Sequence, residues 1–315
     1  MYNLKYGIEE LNFDDPRYEG LITALINGTC IFIGAGVSKL GGYKLWNELA
    51  ESMIGQYWDR RDEIPDQEKN YNFSIRTYLL SHSSSPIEVM DYLFSLDQKL
   101  FFEILENNFD GSNKKNKVYN NFSFLAKRTG NFFVQTNIDL GFQNNLNIGN
   151  DEVSINPNFG DTPKKLNYLH GKLGIKESLV FTRMQYDHNY LNESSAIMKF
   201  LLRIFMSYDV VFFGYSLRDF EILQAISKSR INKRSGRTHY LFEPVYDYKL
   251  TEFEVKKTNI RNNFGINIIP YNIEETGYEL LLEVLNKVDA TISRKESVEE
   301  PITAPVTGSE TSYAK

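Results

Sequence analysis

Apolar residues along this chain come in two rhythms. Short unbroken runs, Cys30 to Ile33 and Val210 to Phe213, suit strands buried on both faces of a parallel sheet. Other stretches repeat at helical spacing. The pattern predicts helices over Pro16 to Asn27, from about Leu45 to Trp58, from Ser195 to Ser207, and over 218–230, 248–263 and 275–288. Further strands are expected at Asn131 to Gln135, Leu166 to Leu169, Leu179 to Phe181, 239–243 and 266–270. Strands alternating with helices define an α/β chain with a doubly wound, Rossmann-like parallel sheet.

The alternation breaks between 60 and 127. There Leu79, Val89, Tyr92, Leu93, Leu100, Phe101 and Ile104 fall at roughly helical spacing. The expected organisation is a sheet domain made from 1–59 and 128–290, with 60–127 inserted as a small helical domain. From about Ser293 the chain turns to Glu, Pro, Thr, Ser and Gly without an apolar period, so 293–315 reads as a disordered tail or linker.

Composition changes this picture little. With 315 residues, 42 % hydrophobic and 24 % charged, the chain has ordinary globular proportions and is long enough for a large core. Its charge, 35 − 41 = −6, does not suit a general nucleic-acid binder. The basic groups Lys114, Lys115 and Lys117, and Lys228, Arg230, Lys233, Arg234 and Arg237, read as solvated loops. The one cysteine, Cys30, cannot form an internal disulfide or a Cys-x-x-Cys site. It sits in an apolar run and reads as a buried thiol, and no structural zinc is expected. No apolar run approaches the roughly 18 residues of a membrane span, and the amino terminus lacks a signal-peptide stretch. A cytoplasmic protein without membrane contact is expected.

Candidate chemistry clusters where apolar runs end. Ile31-Phe32-Ile33 leads into Gly34-Ala35-Gly36 and then Val37-Ser38. A strand opening through Gly-x-Gly lets the backbone approach a pyrophosphate, with N–H groups pointing at the anion. The dehydrogenase fingerprint is not met: Lys39 stands at the third glycine, and no acid closes a second strand about 20 positions on. Gln135-Thr136-Asn137-Ile138-Asp139 follows the next strand. Its Asn137 and Asp139 read either as partners of a ribose hydroxyl and a carboxamide or as helix N-caps. In Leu169-His170-Gly171, the histidine at a strand end can serve as a general base, and the glycine leaves a ligand room. Phe213-Gly214-Tyr215-Ser216-Leu217-Arg218-Asp219 is either an adenosine contact through Gly214 and Ser216 or a plain strand–helix turn with Asp219 in the first helical turn.

In order, spacing and strand context these four segments resemble the sirtuin family, from about Ile31 to Glu243. The resemblance implies NAD as substrate, with Gly34, Ala35, Gly36 and Ser38 at the pyrophosphate side and Thr136 beside them. It further implies Asn137 and Asp139 at the nicotinamide–ribose pocket, His170 as general base, and Gly214 and Ser216 on the adenosine side. Two departures stand out. Gly42-Tyr43-Lys44-Leu45-Trp46 replaces the Ile-Pro-Asp-Phe-Arg-type segment of protein deacetylases, and the four zinc cysteines are missing. In these features the chain resembles the bacterial sirtuin-like effector domains of anti-phage defence systems, which hydrolyse NAD.

The resemblance thus implies an NAD glycohydrolase releasing nicotinamide and ADP-ribose, regulated by a defence-system partner or by homo-oligomer formation. It would break the nicotinamide bond through an oxocarbenium-like state without a metal. Two alternatives keep the same residues: an NAD-dependent protein-lysine deacylase, and a non-catalytic nucleotide-sensing subunit.

Overall fold

The unbroken apolar runs become the centre of one sheet. The computed structural model describes residues 6–60, 74, 76–79, 85–109, 117–158, 160–192, 194–217, 219–231 and 236–299. In chain order the strands are β1 (Cys30–Ile33), β2 (Phe132–Gln135), β3 (Val153–Ile155), β4 (Leu166–Tyr168), β5 (Val210–Phe213), β6 (His239–Val245) and β7 (Ile266–Asn272). They form a single seven-stranded sheet in the order β3-β4-β2-β1-β5-β6-β7, parallel throughout. β1 is central, with Cys30 level with both Phe132 and Val210. From β1 the chain adds β2 beside it, places β3 at the edge and fills the gap with β4, then crosses back to build β5, β6 and β7 outward on the other side. This reversal makes the carboxyl ends of β1 and its two neighbours a topological switch point, where open α/β sheets bind ligands.

Side chains alternate across the sheet, so each face has its own core. On one face Ile31, Ile33, Phe133, Val211 and Phe213 pack with Leu21, Ile22 and Leu25 of α1 (Glu19–Asn27). On the opposite face Cys30, Phe32, Phe132, Val134, Val210 and Phe212 form the second core. Each strand residue of β1 and β5 is fully buried, which is why their sequence carries no polar break. Truncating one of these phenylalanines to alanine removes about 3–5 kcal/mol.

The chain leaves β1 through the short α2 (Ala35–Leu40) and then α3 (Trp46–Asp59). α3 packs with α4 (Pro86–Leu96) and α5 (Gln98–Asn108) in a third apolar cluster built on Leu49, Met53, Tyr57, Met90, Leu93 and Phe101. Their starts are chemically marked. Ser85 and Glu88 form a reciprocal cap on α4, with Pro86 at its first position, and Asp97 accepts from Leu100 N–H at 3.0 Å to cap α5. Next come α6 (Lys117–Asn120) and α7 (Ser123–Ala126), whose Val118, Tyr119, Phe122 and Leu125 join the first sheet core.

After β2 lies α8 (Gly141–Asn145), and after β4 the one-turn α9 (Arg183–Tyr186). α10 (Ala196–Ser207), α11 (Phe220–Ile231) and α12 (Leu250–Phe264) cover the second face. The last helix, α13 (Leu280–Glu299), returns to the first, through Leu281, Val284, Leu285, Val288 and Ile292.

Three readings of the sequence need correction. Leu179 to Phe181 is not a strand. Leu179 and Phe181 are apolar because they pack at the helical cluster, and Val180 because it packs in the second sheet core, not because they join the ladder; Val180 N–H makes one backbone bond, to His170 O at 3.1 Å. β3 was not anticipated, because a three-residue, half-buried edge strand with Ser154 at its middle has no apolar run. The expected tail begins later, since α13 carries 293–299. Residues 300–315 lie outside the described residues, as do Lys114, Lys115, Lys233 and Arg234 of the basic groups. Among the described residues no helix is long and apolar enough to cross a membrane.

Candidate active site

The segments marked in the sequence all leave parallel strands at their carboxyl ends. Gly34 follows β1, Thr136 and Asn137 follow β2, His170 follows β4, and Gly214 and Ser216 follow β5. Two spaces with shared lining residues open there. A cleft of about 530 Å³ is lined by Ala35, Gly36, Thr136, His170, Gly214 and Ser216, and extends to Glu243, Tyr246, Lys249 and Tyr278. A chamber of about 30 Å³ is lined by Ser38, Asn137 and Asp139 among others, with Ala35, Trp46 and Thr136 shared between the two. The larger volume is in the range of ligand clefts. Of the predicted site residues only Gly34 lines neither.

What Gly34 does is structural. A Cβ there would sit 2.4 Å from Gly214 O and 2.6 Å from Tyr215 Cα. Gly214 has φ +60°, and a Cβ on it would meet Val37 N at 2.5 Å. The loops after β1 and β5 therefore touch backbone to backbone. Gly34 N–H donates to Phe213 O at 2.9 Å, and Gly36 N–H to Gly214 O at 2.8 Å. This corrects the expectation that both amides aim at an anion: they lace the two loops together. Gly171 needs a similar correction. Its missing Cβ makes room for the Ser178 carbonyl, 2.2 Å from where that atom would lie, and not for a ligand.

From the β2 side, Asn137 straps the site. Its amide nitrogen donates to Gly34 O at 2.9 Å and to Ser38 Oγ at 2.7 Å. Both amide hydrogens are then used, and the side-chain oxygen is left as an acceptor without a protein partner among the described residues. Ser38 Oγ in turn donates to Asp139 Oδ2 at 2.6 Å. Asp139 Oδ1 accepts from Gly141 N–H at 2.9 Å and from Tyr119 Oη at 3.4 Å. Asp139 is 1 % exposed. Burial raises its pKa, and the bonds from Ser38, Gly141 and Tyr119 pull it back. Leu140 holds the N-cap position of α8, while Asp139 takes that helix's first amide, Gly141 N–H, and anchors the strap from below.

His170 is 3 % exposed, with its ring against both Tyr186 and Tyr190, which also touch each other. Burial pushes its imidazole down to about 4, partly offset by the charge of Asp219 and by the Thr136 backbone. At neutral pH it is the unprotonated ring, as a general base must be. Sequence reading missed Trp46, Tyr186 and Glu243 as site residues and set Asp219 aside as a helix-start acid. Trp46 opens α3 and meets Phe181 edge-on at 5.4 Å. Asp219 lines the cleft and accepts from Tyr215 Oη. Trp46, at the first position of α3, and Asp219, six residues past β5, share the signal of a strand end or helix start; Glu243 lies inside β6 and Tyr186 closes α9, so neither carries it.

The same burial predicts an acid-labile fold. His239, in the second core, is also pushed down to about 4, by burial and by Arg230. Both imidazoles in the unfolded chain titrate near about 6.5. As pH falls from there toward 4, the unfolded state takes up protons that the folded state refuses. The stability present above about pH 6.5 is lost across that window. Asp139 and Glu221, both raised by burial, act in the opposite sense, most strongly at its acid end. Urea denaturation should find the protein about 2–4 kcal/mol less stable near pH 5 than near pH 7. A flat or rising profile would contradict the burial of these rings.

A doubly wound parallel sheet with its polar residues gathered at the switch point has the arrangement in which open α/β sheets bind ligands. Residues 131–267 match a family model described as SIR2-like domain. The matched segment holds Thr136, Asn137, Asp139, His170, Gly214 and Ser216, and the structure brings Gly34 to Ser38 to it from outside. The match is consistent with an NAD-utilising enzyme. Comparison with curated proteins returns no match. Among the described residues no group of three or more His, Cys, Asp or Glu side chains is placed to hold a metal ion.

Proposed function

We propose that this chain hydrolyses NAD to nicotinamide and ADP-ribose. The observation that carries the reading is the convergence of two groups on adjoining spaces: Asn137 with an open side-chain acceptor, and His170 as a buried neutral base. The cleft suits an elongated substrate. It runs from Thr136 and His170 past the β5 loop to Glu243 and the tyrosines beyond, with the chamber at Asn137 adjoining it across Ala35, Trp46 and Thr136.

The bond to a pyridinium is already weakened by its good leaving group, so orientation and charge stabilisation suffice. Asn137 orients a ribose hydroxyl or a water through its side-chain oxygen. His170 takes the proton released when that oxygen attacks. Asp139 acts through Ser38, holding the Asn137 amide while it lines the chamber meant for the carboxamide. The β1 and β5 loops form the floor for the phosphates, with Ser216 at the adenosine side. No step requires a metal. We further propose that the activity is that of a regulated NAD-depleting effector of the anti-phage type. Unrestrained hydrolysis would harm the cell that makes it, so control by a partner protein or by self-assembly belongs to the same reading.

The deciding measurement is product chromatography after incubation with NAD, with and without an acetyl-lysine peptide, across a range of assembly states. Hydrolysis releases nicotinamide and ADP-ribose equally with or without peptide. Turnover that needs the peptide and yields acetylated ADP-ribose would replace hydrolysis with deacylation at the same residues. NAD that binds and stays intact in every assembly state would leave a sensing subunit.

A further inference from the structure

The ring of His170 is gripped from the side of α9. Tyr186, the last residue of that turn, places Oη 3.5 Å from His170 Nδ1, with the rings 5.3 Å apart at 66°. Tyr190 meets the imidazole at 5.4 Å and 85°, and its hydroxyl donates to Leu169 O at 2.9 Å. The grip is built deliberately. Thr182 and Gln185 cap α9 reciprocally, Gln185 Oε1 also accepting from Phe181 N–H. A π-helical turn, Asp187–Leu191, follows Tyr186 at once. Single π turns are rare and concentrate at functional sites, where they re-aim a side chain. Here the turn sets Tyr186 and Tyr190 against one ring. From the start of α11, the charges of Asp219 and Glu221 act on Tyr186, and that of Asp219 on His170. Tyr215 Oη donates to Asp219, and the Thr136 backbone bears on the ring from the β2 loop.

We propose that Tyr186 is a positioning residue for His170: its oxygen accepts from Nδ1–H and so leaves Nε2 as the basic nitrogen. Imidazole has two nitrogens, and only the one without hydrogen can take a proton. The hydrogen bond at the other nitrogen decides which that is. An acceptor at Nδ1 selects the tautomer with the lone pair on Nε2. When Nε2 takes the proton from a hydroxyl or water, the ring becomes imidazolium, and Nδ1–H to Tyr186 tightens. Nothing else is transferred. Tyr186 keeps its own proton, because burial and the two carboxylates hold the phenol well above its ordinary range. Asp219 supplies the negative charge that favours the imidazolium. The logic is that of a base oriented by a second group and backed by a carboxylate.

What the base does rests on the hydrolase reading; its tautomer does not. Long-range proton–nitrogen NMR of the full chain, with His170 assigned by its loss in His170→Asn, reads the tautomer directly. The expected result is Nδ1–H in the wild type and a shift toward Nε2–H in Tyr186→Phe. The same substitution should lower kcat for nicotinamide release about ten-fold while KM for NAD stays within about two-fold, at near-wild-type melting temperature. An Nε2–H ring in the wild type overturns the proposal, even if Tyr186→Phe fails to fold. So does a Tyr186→Phe protein with unchanged tautomer or unchanged kcat. Absence of nicotinamide release together with an Nδ1–H ring would instead remove the hydrolase reading and leave the positioning intact.

Discussion

Replacing His170 or Asn137 by alanine is expected to slow nicotinamide release from NAD by about 100-fold or more while leaving the fold in place. The two losses differ in kind. His170→Ala removes the proton acceptor. Asn137→Ala removes the open acceptor of the strap, and with it the bonds to Gly34 O and Ser38 Oγ at 2.9 and 2.7 Å. Since both act on one step, the double variant should be hardly slower than the worse single one. Stability should respond less. His170→Ala loses the ring contacts with Tyr186 and Tyr190, which still touch each other, but it also removes a buried ring whose ionisation is opposed in the folded state. Nicotinamide release measured beside a melting curve separates the two effects. Rates within about three-fold of wild type, for either variant, would take that residue out of the site.

Gly34→Ala should be among the most damaging single-methyl changes in the chain. The added carbon would lie 2.4, 2.6 and 2.8 Å from Gly214 O, Tyr215 Cα and Gly214 C, all backbone atoms of the β5 loop. None can rotate away as a side-chain tip would, so β1 and β5 must separate where they are paired in register at Ile33 and Phe213. A loss of about 2–4 kcal/mol is expected, at or somewhat above the usual range for overpacking. Gly55→Ala is the natural contrast. It lies inside α3, and nothing stands within 4 Å of its added carbon. Alanine there should stabilise by about 0.5–1 kcal/mol, because a helix interior favours it over glycine. Urea midpoints for the two variants test the argument. Equal shifts, or a Gly34→Ala protein as stable as wild type, would mean the loops are not in the contact described.

The central strands were legible because burial on both faces leaves an uninterrupted apolar signature, as in Cys30 to Ile33 and Val210 to Phe213. The signature misleads where burial has another cause: Leu179 to Phe181 is equally apolar, but Leu179 and Phe181 pack at the helical cluster and Val180 in the second core, without joining the ladder. It is silent at β3, where only an edge is needed. Site residues were legible as polar groups at strand ends. The roles of the glycines were not, because an amide's direction depends on which loop approaches it. Gly34 and Gly36 meet a loop about 180 residues away, a partner that no local pattern names. Tyr186 and Asp219 were hidden for the same reason, since their relation to His170 arises from a π turn and a helix start that meet only in space.

The segment matching the SIR2-like model begins at residue 131, after the middle strand of the sheet has been made. β2 and β5, both inside the match, do not touch each other as strands; each is zipped to β1 along all four of its residues. Cut out alone, 131–267 would be two half-sheets, one led by β2 and one by β5, each with a raw hydrophobic edge. It would also lack the Gly34 carbonyl and Ser38 hydroxyl that hold Asn137. The stretch by which this chain is most easily matched is thus not a unit that can stand or work by itself. Its keystone lies about 100 residues upstream, in the first strand of the sheet to be synthesised.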